Sequence, residues 1–416
     1  MRTTSVLLLA LLAPGCGDDA APSNGVEIAI ETFNVGLAGA FIGYESERRD
    51  ALAAALPATD ADVVCLQEVW RQSDKDLLLD ATSEAFPYSV AFTHDLDTSI
   101  DDAADQNGDV PPAPTTPPCA SLTTDLEDAL TCLRESCSTV PGSDDGQTTS
   151  TDCAESECIG VVASLLLSSD PDALRCYACI ATSLPTETFG DIRDLCTTEP
   201  NAGLAFGGQS GVVLLSKLPL SNERAWVLPG TWNRRVVVSA TATLSNHATV
   251  DVHCNHLTPI FDSTAYPYTG SYGEGDVGAD GWAAEQLLQA DKLVAYVGES
   301  ESPAIVLGDF NASHDYPEDG RIVVGEGTAT LDRLEEAFTP AVASGYEPIC
   351  TFCPDNPLNT PETSPEWIDH IFLANVPASA VKSTERTRAD SSVTVEGGSV
   401  PLSDHYGLRS VVSIAP

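Results

Sequence analysis

Short apolar runs along the chain predict its strands. Residues 26–32 alternate between apolar and polar positions and lead to Asn34, as expected of a first strand. Residues 63–66 are apolar throughout, a pattern typical of a strand buried on both faces, and Glu68 follows closely. The other predicted strands are residues 212–215, 235–242, 248–254 and 305–307.

Two segments carry apolar residues at helical intervals, Glu45–Leu56 and Ala283–Val297. A turn at Ser245-Asn246 separates two of the predicted strands and indicates a hairpin. Because strand and helix signals alternate along the chain, the pattern favours an α/β layered fold.

The regular pattern is interrupted at about residues 95–201, where Asp, Ala, Pro, Thr and Cys dominate. We interpret residues 97–202 as an inserted cysteine-rich module. A main domain then consists of residues 26–96 and 203–416.

One string in this module, Asp105–Asp109, imitates the start of a calcium-binding loop. Val110 and Thr116 stand where such a loop needs glycine and glutamate. A solvated linker is therefore the favoured interpretation.

Eight cysteines lie within the module, an even number that favours about four disulfides in an exported segment. They are Cys119, Cys132, Cys137, Cys153, Cys158, Cys176, Cys179 and Cys196. Zinc is the competing interpretation of the Cys176–Cys179 spacing, but the stretch contains no histidine.

The other close pair, Cys350 and Cys353, is expected to form a loop-tightening disulfide rather than a redox motif. Cys65 and Cys254 lie inside apolar runs. We expect them to be buried thiols, with a cross-strand bridge as the less favoured alternative.

The N-terminus has the pattern of an export signal, with a basic start, an apolar stretch at Val6–Ala13 and then Cys16. Residues 1–16 resemble a bacterial lipoprotein signal, although Pro14 departs from the usual pattern. That resemblance implies lipidation of Cys16, a tether at residues 17–25 and membrane association. Ordinary secretion, with Cys16 lost or unmodified, is the alternative.

The chain is strongly acidic, with 62 acidic against 19 basic residues and a formal net charge of −43. Such a charge repels polyanions unless cations intervene, so tight non-specific binding of nucleic acid is disfavoured. We interpret the charge as favouring solubility in salty surroundings over an acidic-partner role.

Polar residues collect where the predicted strands end. Three strings carry most of them: Gly308–Asn311, Ile368–Phe372 and Ser403–Tyr406. The full set comprises Asn34, Glu68, His256, Asp309, Asn311, Asp369, Asp404 and His405. Carboxylate and amide oxygens suit a hard divalent cation, and an adjacent base can activate water, so the set fits hydrolysis of a phosphate ester.

In this interpretation Asn34, Glu68 and Asp404 supply the metal ligands. His405 or Asp309 is the base, and His256 donates a proton or holds phosphoryl oxygens. Each string alone is equally consistent with a turn or cap. The remaining histidines are expected at the surface, or in the core with hydrogen-bonded rings. They are His94, His247, His253, His314 and His370.

Taken in chain order, these motifs resemble the endonuclease/exonuclease/phosphatase superfamily, which includes deoxyribonuclease I. Thr32–Val35 is similar to the opening strand of that family, and Leu66–Val69 to its metal-binding glutamate motif. Gly211–Leu220 and Asn255–Leu257 match two further motifs, with asparagine replacing threonine in the second. The resemblance covers residues 26–95 and 203–413.

The resemblance implies a four-layer sandwich of two mixed β-sheets flanked by helices. It also implies Mg²⁺, or Mn²⁺ or Ca²⁺, bound on the side of Asn34, Glu68 and Asp404. The implied catalytic residues are His256, Asp309, Asn311, Asp369 and His405. Arg234 and Arg235 occupy the place of a phosphate contact, and we assign that contact to Arg235.

Similarities to particular members of the family indicate the class of substrate. Residues 351–369 and 211–219 resemble sphingomyelinase-like members more than nucleases. Together with the net charge, they favour a phosphodiester substrate with a lipid head group over nucleic acid. The alternatives are a secreted or surface-anchored deoxyribonuclease I-like endonuclease and a non-catalytic surface binding protein. No obligate protein partner is inferred.

Overall fold

The computed structural model describes residues 25–92, 115–137, 149–166, 168, 170–184, 188–261, 279–318, 320–360 and 363–415. The predicted export signal with Cys16, the string Asp105–Asp109 and His94 lie outside these residues.

The first sheet contains six strands in the order β13-β16-β1-β2-β4-β3. Only β1 and β2 are parallel, and their neighbours in the sheet pair antiparallel. The strands are β1 (Val26–Leu37), β2 (Val63–Val69), β3 (Tyr88–Ala91), β4 (Val213–Ser216), β13 (Val381–Thr387) and β16 (Gly407–Ile414).

The second sheet also has six strands, in the order β11-β12-β8-β7-β6-β5. β7 and β8 are parallel, while β6 and β7 form the predicted hairpin. The strands are β5 (Leu220–Leu228), β6 (Arg235–Thr243), β7 (Thr249–His256), β8 (Ala304–Asp309), β11 (Thr339–Pro340) and β12 (Asp369–Ala374). Two ribbons complete the described strands, β9 (Tyr316–Glu318) with β10 (Arg321–Val323), and β14 (Ser392–Val395) with β15 (Gly398–Pro401).

The two sheets pack face to face over a shared apolar core that includes Ile28, Val252 and Leu307. Cys65 of β2 and Cys254 of β7 form a disulfide across this core. The expectation of two buried thiols was wrong, because sheet packing brings their Cα atoms to 5.4 Å, within the span of a disulfide.

Helices cover the outer face of each sheet. α1 (Glu45–Ala55) and α2 (Gln72–Thr82) pack their apolar side chains on the first sheet. α8 (Ala279–Val297) and α9 (Thr328–Ala337) do the same on the second sheet. The predicted α/β sandwich of two mixed sheets flanked by helices is confirmed.

Two elements, α1 and β1, end at other residues than the sequence predicts. α1 stops at Ala55 and a 3-10 turn follows, because Pro57 has no N–H to continue the helix. β1 runs past Asn34 to Leu37 with a register shift against β2, and both of its faces are buried there.

In the described part of the cysteine-rich segment, five helices pack around a core of their own. They are α3 (Thr123–Ser136), α4 (Ser150–Glu157), α5 (Ile159–Leu166), α6 (Pro171–Ser183) and α7 (Phe189–Thr198). The predicted disulfides are present as Cys119–Cys176, Cys132–Cys158, Cys137–Cys153 and Cys179–Cys196. Because Cys176 and Cys179 are both in disulfides, the zinc alternative was wrong.

Among the described residues, none of the helices combines the length and apolar character needed to cross a bilayer.

Candidate active site

The polar residues predicted at strand ends lie at one edge of the sandwich. β1 and β2 run parallel and carry Asn34 and Glu68 to the same edge of the first sheet. β7 and β8 do the same for His256 and Asp309 in the second sheet. Asp369 begins β12 directly beside Asp309, since the two are register partners.

Asn34 joins the two sheets at this edge. Its side-chain Nδ2 lies 3.2 Å from Glu68 Oε1, 2.9 Å from Asp309 Oδ2 and 3.5 Å from His405 Nε2. Asn34 is fully buried, so the amide has one fixed environment. Asp309 and His405 lie 275 and 371 positions after Asn34 in the chain, and both contact its side chain.

The loop before β16 brings Asp404 and His405 to Asn34. Ser403 Oγ donates to Asn34 O at 2.7 Å and also contacts Asp404 Oδ1 at 3.0 Å. The backbone N–H of His405 donates back to Ser403 Oγ at 3.2 Å. Ser403 thus fixes this loop against the end of β1.

His405 is held by Asp369, whose Oδ2 lies 2.9 Å from His405 Nδ1. Burial alone lowers the pKa of His405, but the carboxylates of Asp369, Asp404 and Asp309 outweigh it and raise that pKa to about 10. The imidazole is therefore a cation at neutral pH.

Asp309 has an ionisation suited to proton transfer. Burial raises the pKa of its carboxyl group to about 7, and the charge of Asp369 adds to the shift. His405 Nε2 lies 4.0 Å from Asp309 Oδ2, on the side away from Asp369. A carboxyl group that titrates near neutrality can accept a proton at physiological pH.

His256 is buried and neutral. Burial lowers its pKa well below the usual value, and the positive charges of Arg235 and His405 act in the same direction. Its Nε2 lies 3.1 Å from Asn311 Nδ2 and 3.5 Å from Asp309 Oδ2. Asn311 also donates to Leu257 O at 3.0 Å, so the amide links the ends of β7 and β8.

Glu68 adopts a backbone conformation that is rare outside glycine, with φ at +62°. Gly211 packs against it, and a Cβ at Gly211 would come within 2.9 Å of the Glu68 Cα. Gly36 has the same constraint beside Asp404, because its Cβ would lie 2.4 Å from Asp404 Oδ1. The backbone around the carboxylates leaves no space for larger side chains.

The donor set fits a divalent cation. Burial raises the pKa of Glu68, and the neighbouring charge of Asp404 raises it further. The positive charges of His405 and Arg235 oppose this shift, and a cation bound beside the two carboxylates would oppose it further. The Asn34 amide faces Glu68 with its nitrogen, while its oxygen accepts the Gly36 N–H at 3.0 Å, so Asn34 as a metal ligand stays a prediction.

Among the described residues, a group with metal-ligand spacing at this site consists of Asp309, Asp369 and His405, whose ligand atoms lie within 4.8 Å of one another. Asp369 Oδ1 has no hydrogen-bond partner among the described residues. The neighbouring carboxylates raise the pKa of His405, which favours a protonated imidazole that can donate a proton. This group has the geometry to hold a cation and the donors and acceptors to transfer a proton.

Arg235 faces the acidic cluster from the start of β6. It is 4% exposed, and its Nε and Nη1 atoms have no hydrogen-bond partner within the described part of the chain. Burial lowers its pKa to about 10, which leaves the guanidinium charged. Arg234 instead donates from Nε to Gly208 O at 2.7 Å.

Several residues of the site were missed by sequence reasoning. Trp70 lies beneath the Arg235 guanidinium at 5.7 Å and stacks on Phe206 at 4.8 Å. Arg48 is fully buried and donates to the carbonyl oxygens of Val35, Gly36 and Leu402, which flank Asn34 and Asp404. Trp70 follows the glutamate motif by two positions, which is a usable signal, whereas Arg48 resembles any other polar helix residue.

The remaining histidines have other surroundings. His253 Nδ1 lies 2.8 Å from Ser239 Oγ, and His370 Nε2 lies 2.9 Å from Ala312 O. His314 Nε2 lies 3.3 Å from Glu335 at the surface. These contacts agree with the expectation of satisfied core or surface residues.

Solved structures with a similar chain path include a sphingomyelinase C from Streptomyces griseocarneus and a beta toxin from Staphylococcus aureus. The first is 16% identical, covers 93% of this chain and 99% of its own, and has a TM-score of 0.49. The second is 15% identical, covers 92% and 99%, and has a TM-score of 0.49. No curated protein sequence matches this chain.

The match to a family model identifies the protein family of this chain. The model of the endonuclease/exonuclease/phosphatase family matches residues 32–405, which include every motif at the site from Asn34 to His405. The chain therefore belongs to the endonuclease/exonuclease/phosphatase family of metal-dependent hydrolases that act on phosphoesters.

Proposed function

We propose that the chain is an exported, metal-dependent phosphodiesterase. The observation that carries this proposal is the meeting of Glu68, Asp309 and His405 at the buried amide of Asn34. Carboxylates, an imidazole and a guanidinium in one buried cluster are groups that suit hydrolysis at phosphorus.

Mg²⁺, or Mn²⁺ or Ca²⁺ in its place, would be held by Glu68, Asn34 and Asp404 and would neutralise charge on the phosphoryl and leaving oxygens. Within the described residues, the Nε and Nη1 atoms of Arg235 have no hydrogen-bond partner. A guanidinium with free donors can form paired hydrogen bonds to phosphoryl oxygens.

Asp309 is the proposed general base, because its pKa of about 7 allows it to take a proton from water. The water oxygen bonds to phosphorus as the ester P–O bond breaks, and the water proton passes to Asp309. His405 is the proposed acid, which passes its Nε2 proton to the leaving oxygen. Asp369 orients it and keeps it protonated, with their atoms 2.9 Å apart.

His256 and Asn311 are proposed to position the phosphoryl group and Asp309. The low pKa of His256 leaves its imidazole neutral at neutral pH. It therefore suits a positioning role better than that of an imidazolium acid. Asn311 N–H donates to Asp309 Oδ1 at 2.8 Å and so fixes the carboxyl group.

A lipid head group of the sphingomyelin type is the proposed substrate. The net charge of −43 disfavours polyanionic DNA, and the motif similarities at residues 211–219 and 351–369 support the same order. Six disulfides support export into an oxidising compartment, with lipidation of Cys16 as the proposed anchor.

The cysteine-rich residues 97–202 are proposed to be an inserted module beside the main domain, residues 26–96 and 203–416. Their separate apolar core supports this division. The module contacts the main domain through Thr151, which donates from N and Oγ1 to Ala40 O, and through Leu184 O, which accepts from Arg71 Nη2.

The test is hydrolysis of bis-p-nitrophenyl phosphate by purified protein with and without a chelator. Chelation should abolish turnover, and Mg²⁺ or Mn²⁺ should restore it. Asp309→Asn and His405→Ala should each lower kcat by at least about 100-fold in a folded protein. Undiminished rates in both variants would remove the site assignment.

A substrate panel then separates the candidates. Sphingomyelin and phosphatidylcholine vesicles, plasmid DNA and RNA should be compared under the same divalent ion. Hydrolysis of the lipid head groups is expected. Cleavage of DNA without lipid hydrolysis would replace the proposed substrate with nucleic acid, and binding without any hydrolysis would favour a surface binding protein.

A further inference from the structure

The loop before β12 has four buried residues although it carries none of the proposed catalytic side chains. Cys350 and Cys353 are joined by a disulfide, and they are 4% and 0% exposed. Thr351 and Asn356 are fully buried as well. We refer to residues 350–359 as the CxxC loop.

Thr351 connects this loop to both sides of the Asp369–His405 pair. Its Oγ1 accepts the backbone N–H of Ile368 and of Asp369, each at 3.2 Å. Its carbonyl oxygen accepts the N–H of Tyr406 at 2.8 Å. One residue therefore fixes the backbone at Asp369 and next to His405.

Phe352 packs directly on the imidazole. Its ring centroid lies 5.0 Å from that of His405, and the two residues form an isolated β-bridge. Phe352 also exchanges two backbone hydrogen bonds with Glu366, at 2.9 and 2.8 Å. The ring restricts the positions that the His405 side chain can adopt.

Two asparagines extend the contact along the loop that carries His405. Asn356 Nδ2 donates to Ser403 O at 2.8 Å, and Asn359 Nδ2 donates to Asp404 O at 3.0 Å. Asn359 Nδ2 also donates to Cys353 O at 3.0 Å. The CxxC loop thus contacts each of the four residues from Ser403 to Tyr406.

The disulfide lies at the base of these contacts. Tyr406 packs against Cys350 and Cys353, and the Arg386 guanidinium lies 4.5 Å over the Tyr406 ring. Arg386 Nη1 also donates to Cys350 O at 3.1 Å. A covalent bond between the ends of a four-residue turn reduces the conformations open to Thr351 and Phe352 between them.

We propose that the disulfide-closed CxxC loop is a clamp that positions the Asp369–His405 pair, with Thr351 as its principal positioning residue. The proposal rests on the proposed function, because it assigns the clamp to that same site. Thr351 acts through the backbone of Asp369 and Tyr406, so its loss should lower turnover and leave substrate affinity largely unchanged.

The test compares Thr351→Val with Thr351→Ser. Valine has nearly the same shape but cannot accept the two N–H groups, whereas serine retains the hydroxyl. In hydrolysis of bis-p-nitrophenyl phosphate, Thr351→Val should lower kcat about 10- to 100-fold with KM within about 2-fold, as for supporting residues of other active sites. Thr351→Ser should restore kcat to within a few-fold of the wild type.

The disulfide is tested by the double variant Cys350→Ser, Cys353→Ser. It should show the same kcat loss as Thr351→Val. The matched control is Cys132→Ser, Cys158→Ser, which removes a disulfide between helices α3 and α4–α5. That control should retain wild-type kcat. Equal losses in both double variants would show a general effect of disulfide removal and refute the clamp.

Amide hydrogen exchange gives a readout that does not depend on activity. The amides of Ile368, Asp369 and Tyr406 should exchange faster in Thr351→Val and in the Cys350/Cys353 double variant, while amides in β1 should not change. Unchanged exchange at all three positions would refute the clamp.

The two proposals fail in different ways. If the wild type hydrolyses the diester and Thr351→Val retains full kcat, the clamp is refuted and the phosphodiesterase stands. If the wild type has no metal-dependent hydrolysis, the proposed function fails, and hydrogen exchange still decides whether the CxxC loop holds Asp369 and Tyr406.

Discussion

The Cys65–Cys254 disulfide joins the two sheets below the candidate site. Cys65 lies three residues before Glu68 in β2, and Cys254 lies two residues before His256 in β7. We consider the double variant Cys65→Ala, Cys254→Ala, which removes the bridge and leaves no free thiol at either position. The variant should be folded but much less stable than the wild type.

The magnitude follows from the length of the loop that the disulfide closes. A separation of 189 residues corresponds to about 5 kcal/mol of unfolded-state chain entropy at 25 °C. Cys119–Cys176 and Cys179–Cys196 lie inside this loop and shorten it. Because the entropy depends on the logarithm of loop length, they lower the figure by less than about 1 kcal/mol.

The hydrogen bonds of the neighbouring Gln67 change little compared with the loss of the cross-link. Gln67 Nε2 contacts Cys65 Sγ at 2.8 Å, but it also donates to Thr32 Oγ1 at 3.1 Å and to Cys65 O at 3.2 Å. The amide therefore keeps two partners in the alanine variant. The stability change should be dominated by the lost cross-link.

Urea unfolding followed by tryptophan fluorescence measures the effect. The matched variant is Cys132→Ala, Cys158→Ala, whose separation of 26 residues corresponds to about 3.5 kcal/mol or less. Removing Cys65–Cys254 should lower the free energy of unfolding by more than removing Cys132–Cys158. A loss below about 1 kcal/mol, or the reverse order of the two variants, would refute the chain-entropy reasoning.

Two further predictions concern buried cations. Lys75 is fully buried with no partner for its Nζ among the described residues, and burial lowers its pKa from 10.5 to about 8. The unfolded state thus binds more protons between these values, so wild-type stability should rise with pH across them. Lys75→Met should be about 2–3 kcal/mol more stable at pH 7 in urea titrations. That advantage should shrink between pH 8 and 10, and an advantage independent of pH would contradict this account. Arg235→Lys keeps the charge but loses the paired donors, so kcat/KM for bis-p-nitrophenyl phosphate should fall about 10- to 100-fold. Arg234→Lys is the matched control, and equal effects in the two variants would remove Arg235 from the phosphate contact.

The candidate site could be predicted from sequence to the extent that its residues follow strands. Asn34, Glu68, His256 and Asp309 each end or follow an apolar run, and the parallel pairs β1–β2 and β7–β8 carry them to the same edge. The α/β sandwich follows from the same alternation of strands and helices. Local patterns of this kind are visible because side-chain periodicity reflects one buried face.

The supporting contacts could not be predicted in the same way. The Cys65–Cys254 bridge depends on how the sheets stack, which neither apolar run encodes by itself. The contacts of Thr351 with Ile368, Asp369 and Tyr406 belong to a loop without periodicity. Arg48 was missed because its partners are backbone carbonyls, which have no sequence signature.

The sequence by itself determined which chemical groups the site contains and the order in which the chain presents them. It did not determine their ionisation. His405 is a cation and His256 is neutral because tertiary packing buries both, while it places three carboxylates around the first and positive charges beside the second. A pKa depends on burial and on the distance to other charges, and in this protein the decisive neighbours come from strands and loops far apart in the chain.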